Sequence, residues 1–150
     1  MANIVYDNWV HPDAESLKHE YRVEYEIKPL KELTGNAFPT FEDFLKAALN
    51  GTPTVITPEL DATISYRSRT SSRESLLSLI RGYASYPKYR NEETIAHLYS
   101  SIEGGLPMTM PIVLRMPDGD LRVMVGNTRM DVAFHLGVNP KALVIEVPKT

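Results

Sequence analysis

The sequence predicts an α/β (α+β) fold, with helices packed on a mixed sheet, and three observations carry that prediction. In "PIVLRMPDGDLRVMV" two apolar runs flank Pro117-Asp118-Gly119-Asp120, the pattern of two strands joined by a tight turn. "GNTRMDVAFHLG" follows at once with apolar residues at helical spacing up to Gly137, and "ALVIEV" supplies a closing strand. Upstream, "TFEDFLKAALNG" and "NEETIAHLYSSIEGG" show the same helical period between polar caps and glycine stops.

Bulk composition limits the rest. A chain of 150 residues, 43% hydrophobic and 23% charged, suits one domain spanning 1–150, with residues 1–20 expected as a loosely packed N-terminal extension. It contains no cysteine, so disulfides, thiolate metal sites and cysteine nucleophiles are excluded. The N-terminus lacks a basic segment followed by an apolar run, and no stretch approaches the roughly 20 apolar residues that span a bilayer. The expectation is a cytoplasmic protein without a membrane partner.

Taken in order, "YRVEYEIKPL" alternates Val23, Tyr25 and Ile27 with Glu24, Glu26 and Lys28, which predicts a half-buried strand ending at Pro29. Thr40 caps a helix that carries Phe41, Phe44, Leu45 and Ala48 on one face and stops at Asn50-Gly51. Two β-prone runs, Thr54 to Thr57 and Ala62 to Tyr66, predict a strand or strand pair leading into a polar loop. Ser71 and Glu74 form a capping box for a helix burying Leu76, Leu77, Ile80 and Tyr83. Asn91 caps the next helix, with Glu92 and Glu93 on its positive end, Ile95, Leu98, Tyr99 and Ile102 at i, i+3, i+4 and i+7, and Gly104-Gly105 as the stop. After the hairpin, a helix from about Thr128 buries Met130, Ala133, Phe134 and Leu136, with Gly137 at its C-cap.

Charge is uneven along this plan. Residues 1–61 balance at −6, residues 62–91 at +5 and the remainder at −2, giving the net −3. The basic segment holds Arg67, Arg69, Arg73, Arg81, Lys88 and Arg90 against Glu74 alone. Such a segment is either a patch for phosphates or a solvated surface.

Gly126-Asn127-Thr128-Arg129 has the parts of a phosphate site, because a helix N-terminus offers unpaired amides and a positive dipole end, and arginine a planar fork of donors. The same four residues also make an ordinary capped strand-to-helix turn. The four histidines show no metal-ligand spacing. Tyr6, Trp9, Tyr21, Tyr86 and Tyr89 are either stacking surfaces for an extruded base or packing residues.

Residues 88–147, read as "KYRNEETIAHLYSSIEGG", "MPIVLRMPDGDLRVMV", "GNTRMDVAFHLG" and "ALVIEV", resemble the ParB/sulfiredoxin-like superfamily, and "EIKPLKEL" resembles its opening strand. In that superfamily the Gly-x-x-Arg turn holds nucleotide phosphate. Sulfiredoxin activity needs a cysteine in the turn, which this chain lacks. The turn also departs from the partition proteins, which have Glu after Gly, and from the free-serine kinases, which have Asp before Gly and His after it; here Val125 and Asn127 stand there. No appended DNA-binding helical domain is expected after Thr150.

The form of the turn is most similar to the bacteriophage 5-hydroxymethyluracil DNA kinases. That resemblance implies an ATP-dependent phosphotransferase acting on the 5-hydroxymethyl group in DNA, with ATP and Mg²⁺ as cofactors and modified DNA as partner. Gly126, Asn127, Thr128 and Arg129 become the nucleotide contacts. Arg129 with Glu92, Glu93 and Asp131 are the catalytic candidates, the acids as base or metal ligand, and Arg67, Arg69, Arg73, Lys88 and Arg90 the DNA contacts. The metal ligands are left unassigned. A non-catalytic ParB-like nucleotide- or DNA-binding module, a small-molecule kinase of the same fold acting on a free amino acid, and a ParB-like nuclease are the alternatives.

Overall fold

The computed structural model describes residues 5–27, 30–65 and 92–149. They form two sheets with helices packed against them, so the α/β mixed class expected from the sequence is observed. Strand β1 (Trp9–Val10) precedes helix α1 (Ala14–Glu20), which runs into a π-helical segment Tyr21–Ile27 and the short α2 (Leu30–Leu33). Then come α3 (Phe41–Leu49), β2 (Thr52–Val55), α4 (Pro58–Asp61) and β3 (Ile64–Ser65). The last part comprises α5 (Glu92–Glu103), β4 (Met108–Thr109), β5 (Ile112–Arg115), β6 (Leu121–Val125), α6 (Asn127–His135) and β7 (Lys141–Glu146).

The larger sheet has the order β2-β7-β5-β6-β3. β5 and β6 form the expected antiparallel hairpin, in which the Met116 amide donates to Asp120 O at 2.7 Å and Gly119 takes φ +92°. β7 inserts between β2 (antiparallel) and β5 (parallel), which is why Ala142 to Ile145 are all buried: a strand covered on both faces reads as a continuous apolar run. Alternate residues of the sheet serve two cores. Ile112, Leu114, Met124, Leu143 and Ile145 face the larger one, while Val113, Val123, Ala142 and Val144 join Ile56, Ile64 and Met130 in the smaller.

Helix α3 forms as its sequence dictates. Thr40 Oγ1 accepts from the Asp43 amide, the Asp43 carboxylate accepts from the Thr40 amide, and Phe44 and Ala48 are buried beneath. Helix α6 ends in a full Schellman cap: Gly137, at φ +74°, donates to Phe134 O, and Val138 donates to Ala133 O.

The strand expected over "YRVEYEIKPL" is a correction, because Tyr21–Ile27 is π-helical and continues α1. The period that decides is four, not two: Leu17, Tyr21 and Tyr25 are all buried, and the rings of Tyr21 and Tyr25 stack at 5.1 Å. A π-helix has a wider turn than an α-helix, which brings residues four apart nearer to one line. The segment is pinned by a satisfied polar chain, in which Tyr21 Oη donates to Phe38 O, the Phe38 amide donates to Tyr25 Oη, and Tyr25 and Thr34 hydroxyls bond at 2.8 Å. Each bond answers a buried polar group that would otherwise cost stability.

Residues 1–20 also depart from expectation. Far from a loosely packed extension, the described part places Tyr6, Trp9 and Leu17 in the larger core. Each of the two β-prone runs contributes a strand, as expected, but the two do not pair with one another. β2 pairs with β7 and β3 pairs in parallel with β6, so the runs lie at opposite edges of one sheet. Between them Thr57 caps the short helix α4, with Pro58 in its first turn. The helix expected around Leu76 to Tyr83, its capping box and the Asn91 cap lie outside the described residues.

Candidate functional site

The corner between the two sheets is built from four short pieces of chain. β1 and β4 pair in parallel, Trp9 opposite Met108 and Val10 opposite Thr109. The Met108 amide donates to Asn8 O at 3.0 Å and the Met110 amide to Val10 O at 2.9 Å. Because successive residues of a strand point their backbone groups to opposite edges, the Thr109 carbonyl faces away from β1. Past Met110 the chain crosses at Pro111 into the larger sheet, where Pro111 O accepts from the Leu143 amide at 2.8 Å.

Against this crossing lies Gly126, at the C-terminal end of β6. Its φ of +101° is left-handed backbone that side chains disfavour, and a Cβ added there would stand 2.6 Å from Pro111 Cβ and 2.8 Å from its Cα. Glycine is thus required twice, by conformation and by contact. It serves as N-cap of α6 and supplies no side-chain acceptor to the helix.

The first turn of α6 therefore carries an electrical imbalance. It has no acidic residue and no side-chain cap, yet it bears Arg129, a cation at the positive end of the helix dipole. Arg129 Nη1 donates to the Thr109 carbonyl, which draws the half-buried side chain across the corner. Thr109 accepts from one arm of the guanidinium fork, and Arg129 makes a further interaction besides. Thr128 beside it is 7% exposed.

Among the expected site residues the structure brings together Gly126, Thr128 and Arg129; Asn127 forms the first residue of the helix between them. Asp131 lies three residues past Thr128, which puts the two on one face of α6, and it is 2% exposed between the buried Met130 and Val132. Glu92 and Glu93 form the first turn of α5, which packs on α6. Arg67, Arg69, Arg73, Lys88 and Arg90 lie outside the described residues, as do Tyr86 and Tyr89.

Tyr6, Trp9 and Tyr21, the other candidates for stacking on a base, are core residues, with Tyr6 edge-on to Trp9 at a 5.3 Å centroid distance. His97 is exposed, and His11 points its two ring nitrogens at Pro12 O and Ala48 O. Among the described residues no three His, Asp or Glu side chains converge as a metal site, and no helix is long and apolar enough to cross a membrane. Thr109 and Pro111, which shape the corner, carry no sequence signal of their own beyond the proline that opens β5. In comparisons with known proteins, no protein-family model, no curated protein and no solved structure matches this chain.

Proposed function

We propose that the corner at Gly126 to Arg129 binds the phosphates of ATP, and that the protein transfers the terminal phosphoryl group to the 5-hydroxymethyl group of hydroxymethyluracil in DNA. The observation that supports phosphate binding is the uncapped, acid-free first turn of α6 with Arg129 in it, opened by a left-handed glycine. The acceptor rests on the resemblance of the Gly-Asn-Thr-Arg turn described above. In this reaction the hydroxymethyl oxygen bonds to the terminal phosphorus as the bridging oxygen to the β-phosphate leaves with ADP. The acceptor's proton passes to a carboxylate, for which Glu92 and Glu93 are the candidates ahead of the buried Asp131. The turn amides and the Arg129 guanidinium would hold charge on the phosphate oxygens. Mg²⁺, which binds through one or two carboxylates together with substrate phosphates, would neutralise charge on the nucleotide.

A second reading, a non-catalytic nucleotide-binding module, draws on the burial of Asp131 and on the tie between Arg129 and Thr109, both of which suit a rigid anchor. Incubation with terminally radiolabelled ATP, Mg²⁺ and DNA containing 5-hydroxymethyluracil separates the two. The kinase reading expects label in the DNA and its loss in Arg129→Ala. Saturable ATP binding with no labelled DNA, beside an active control enzyme, would establish the module instead.

A further inference from the structure

We infer that the N-terminal segment Tyr6–Val10 is the positioning element of the anion corner, acting on Arg129 through β4; this rests on the phosphate-binding reading above. The ties between this segment and residues 105–110 form one group. Tyr6 Oη donates to Leu106 O, Asn8 Nδ2 donates to Gly105 O at 2.9 Å, and the backbones of Asn8 and Val10 accept from Met108 and Met110. These contacts fix one edge of β4, and the carbonyl on its opposite edge, Thr109 O, receives the Arg129 guanidinium.

A strand two residues long has little hold of its own, since two paired strands are marginal without further contacts. The side chains of Tyr6 and Asn8 thus set where the Thr109 carbonyl stands, and with it the guanidinium. Neither side chain belongs to the corner itself. Trp9, 8% exposed, anchors the same segment in the core, so the remaining freedom of the segment lies in its polar ties. The segment holds Arg129 in a single pose before any anion arrives, which removes part of the ordering cost of binding.

The test is a double-mutant cycle between Tyr6→Phe/Asn8→Ala and Arg129→Ala, read by ATP affinity in the presence of Mg²⁺ and by nitrogen-15 resonances of the Arg129 guanidinium in the free protein. Tyr6→Phe/Asn8→Ala keeps the ring packing and the β1/β4 backbone pairing, and is expected to weaken ATP binding about threefold to tenfold, the equivalent of one lost hydrogen bond. In the Arg129→Ala background the same pair is expected to make no further difference. The guanidinium N–H signals are expected to lose their protection in the variant, and Asn8→Ala alone to give a smaller change of the same kind. Additive losses in the two backgrounds, or unchanged guanidinium signals, would overturn the inference. A wild-type protein with protected guanidinium signals that binds no ATP would refute the phosphate reading instead, and the guanidinium response of the variants would still decide the positioning link.

Discussion

Replacing Gly126 by alanine should be far more damaging than its single methyl group suggests. The left-handed conformation alone costs about 1 to 2 kcal/mol for a residue with a Cβ. The added Cβ would also stand 2.6 Å from Pro111 Cβ and 2.8 Å from Pro111 Cα, inside any real carbon contact. Neither partner is the free end of a flexible side chain: Pro111 is a buried ring whose carbonyl is held by Leu143. Relieving such overpacking costs about 1 to 3 kcal/mol. Gly119, at φ +92° with nothing within 4 Å of an added Cβ, supplies the control, because Gly119→Ala pays the conformational cost alone. Urea denaturation of both variants should give equal m values and a difference of about 1 to 3 kcal/mol, or roughly 2 to 12 °C in thermal midpoint for a chain of this size. If Gly119→Ala proved as destabilising as Gly126→Ala, the close approach of Pro111 would not be what demands glycine at the corner.

Other substitutions test other joints. Tyr25→Phe leaves the buried Phe38 amide without its acceptor, so chemical denaturation should show a loss of about 1 to 3 kcal/mol. Thr40→Ala removes the capping box of α3 and should cost about 1 kcal/mol, read as a lowered midpoint with unchanged spectra. Asp13 caps α1, and its hydrogen bonds from the Ser16 amide and side chain hold its carboxyl below the ordinary aspartate value. A depressed folded value means stabilisation present above the unfolded value and lost as pH falls through the folded one; an NMR titration should place the Asp13 midpoint below that of a free aspartate, and Asp13→Ala should flatten this part of the acid limb.

Much of the fold could be read from the chain because the decisive signals were local. Thr40 with Asp43, the Pro-Asp-Gly-Asp turn, the apolar run Ala142 to Ile145 and the Gly137 cap each fix their element within a few residues. In the Tyr21–Ile27 segment, Glu24, Glu26 and Lys28 set between Val23, Tyr25 and Ile27 in the sequence mimic a two-residue alternation, whereas the buried Tyr21 and Tyr25 belong to a four-residue series that begins at Leu17. That series starts in a stretch whose composition looked loose. The parallel pairing of β1 with β4 joins residues about a hundred positions apart and rests mainly on backbone bonds, so no local pattern announces it.

The candidate site divides in the same way. Gly126 and Arg129 were legible as a strand-to-helix turn with a cation, because glycine and arginine at that spacing have few local uses. Thr109 was not, since a carbonyl acceptor belongs equally to any residue, and only the crossing at Pro111 brings it to Arg129. Asp131, two residues after Arg129, is 2% exposed, and no local pattern announces the burial of so polar a residue. Of the two uses the sequence leaves open for the N-terminal aromatics Tyr6 and Trp9, packing is the one observed, since both lie in the larger core.

On the proposed reading, a nucleotide's phosphates sit on the first turn of α6. Titration of the nitrogen-15-labelled protein with ATP and Mg²⁺ tests it most directly, by the backbone amide shifts of Gly126, Asn127, Thr128 and Arg129. Saturable shifts at these four amides, with adenosine alone producing none and Arg129→Ala weakening the saturation, are the predicted result. Saturation centred on other amides, or no saturable shift at these four, would contradict it.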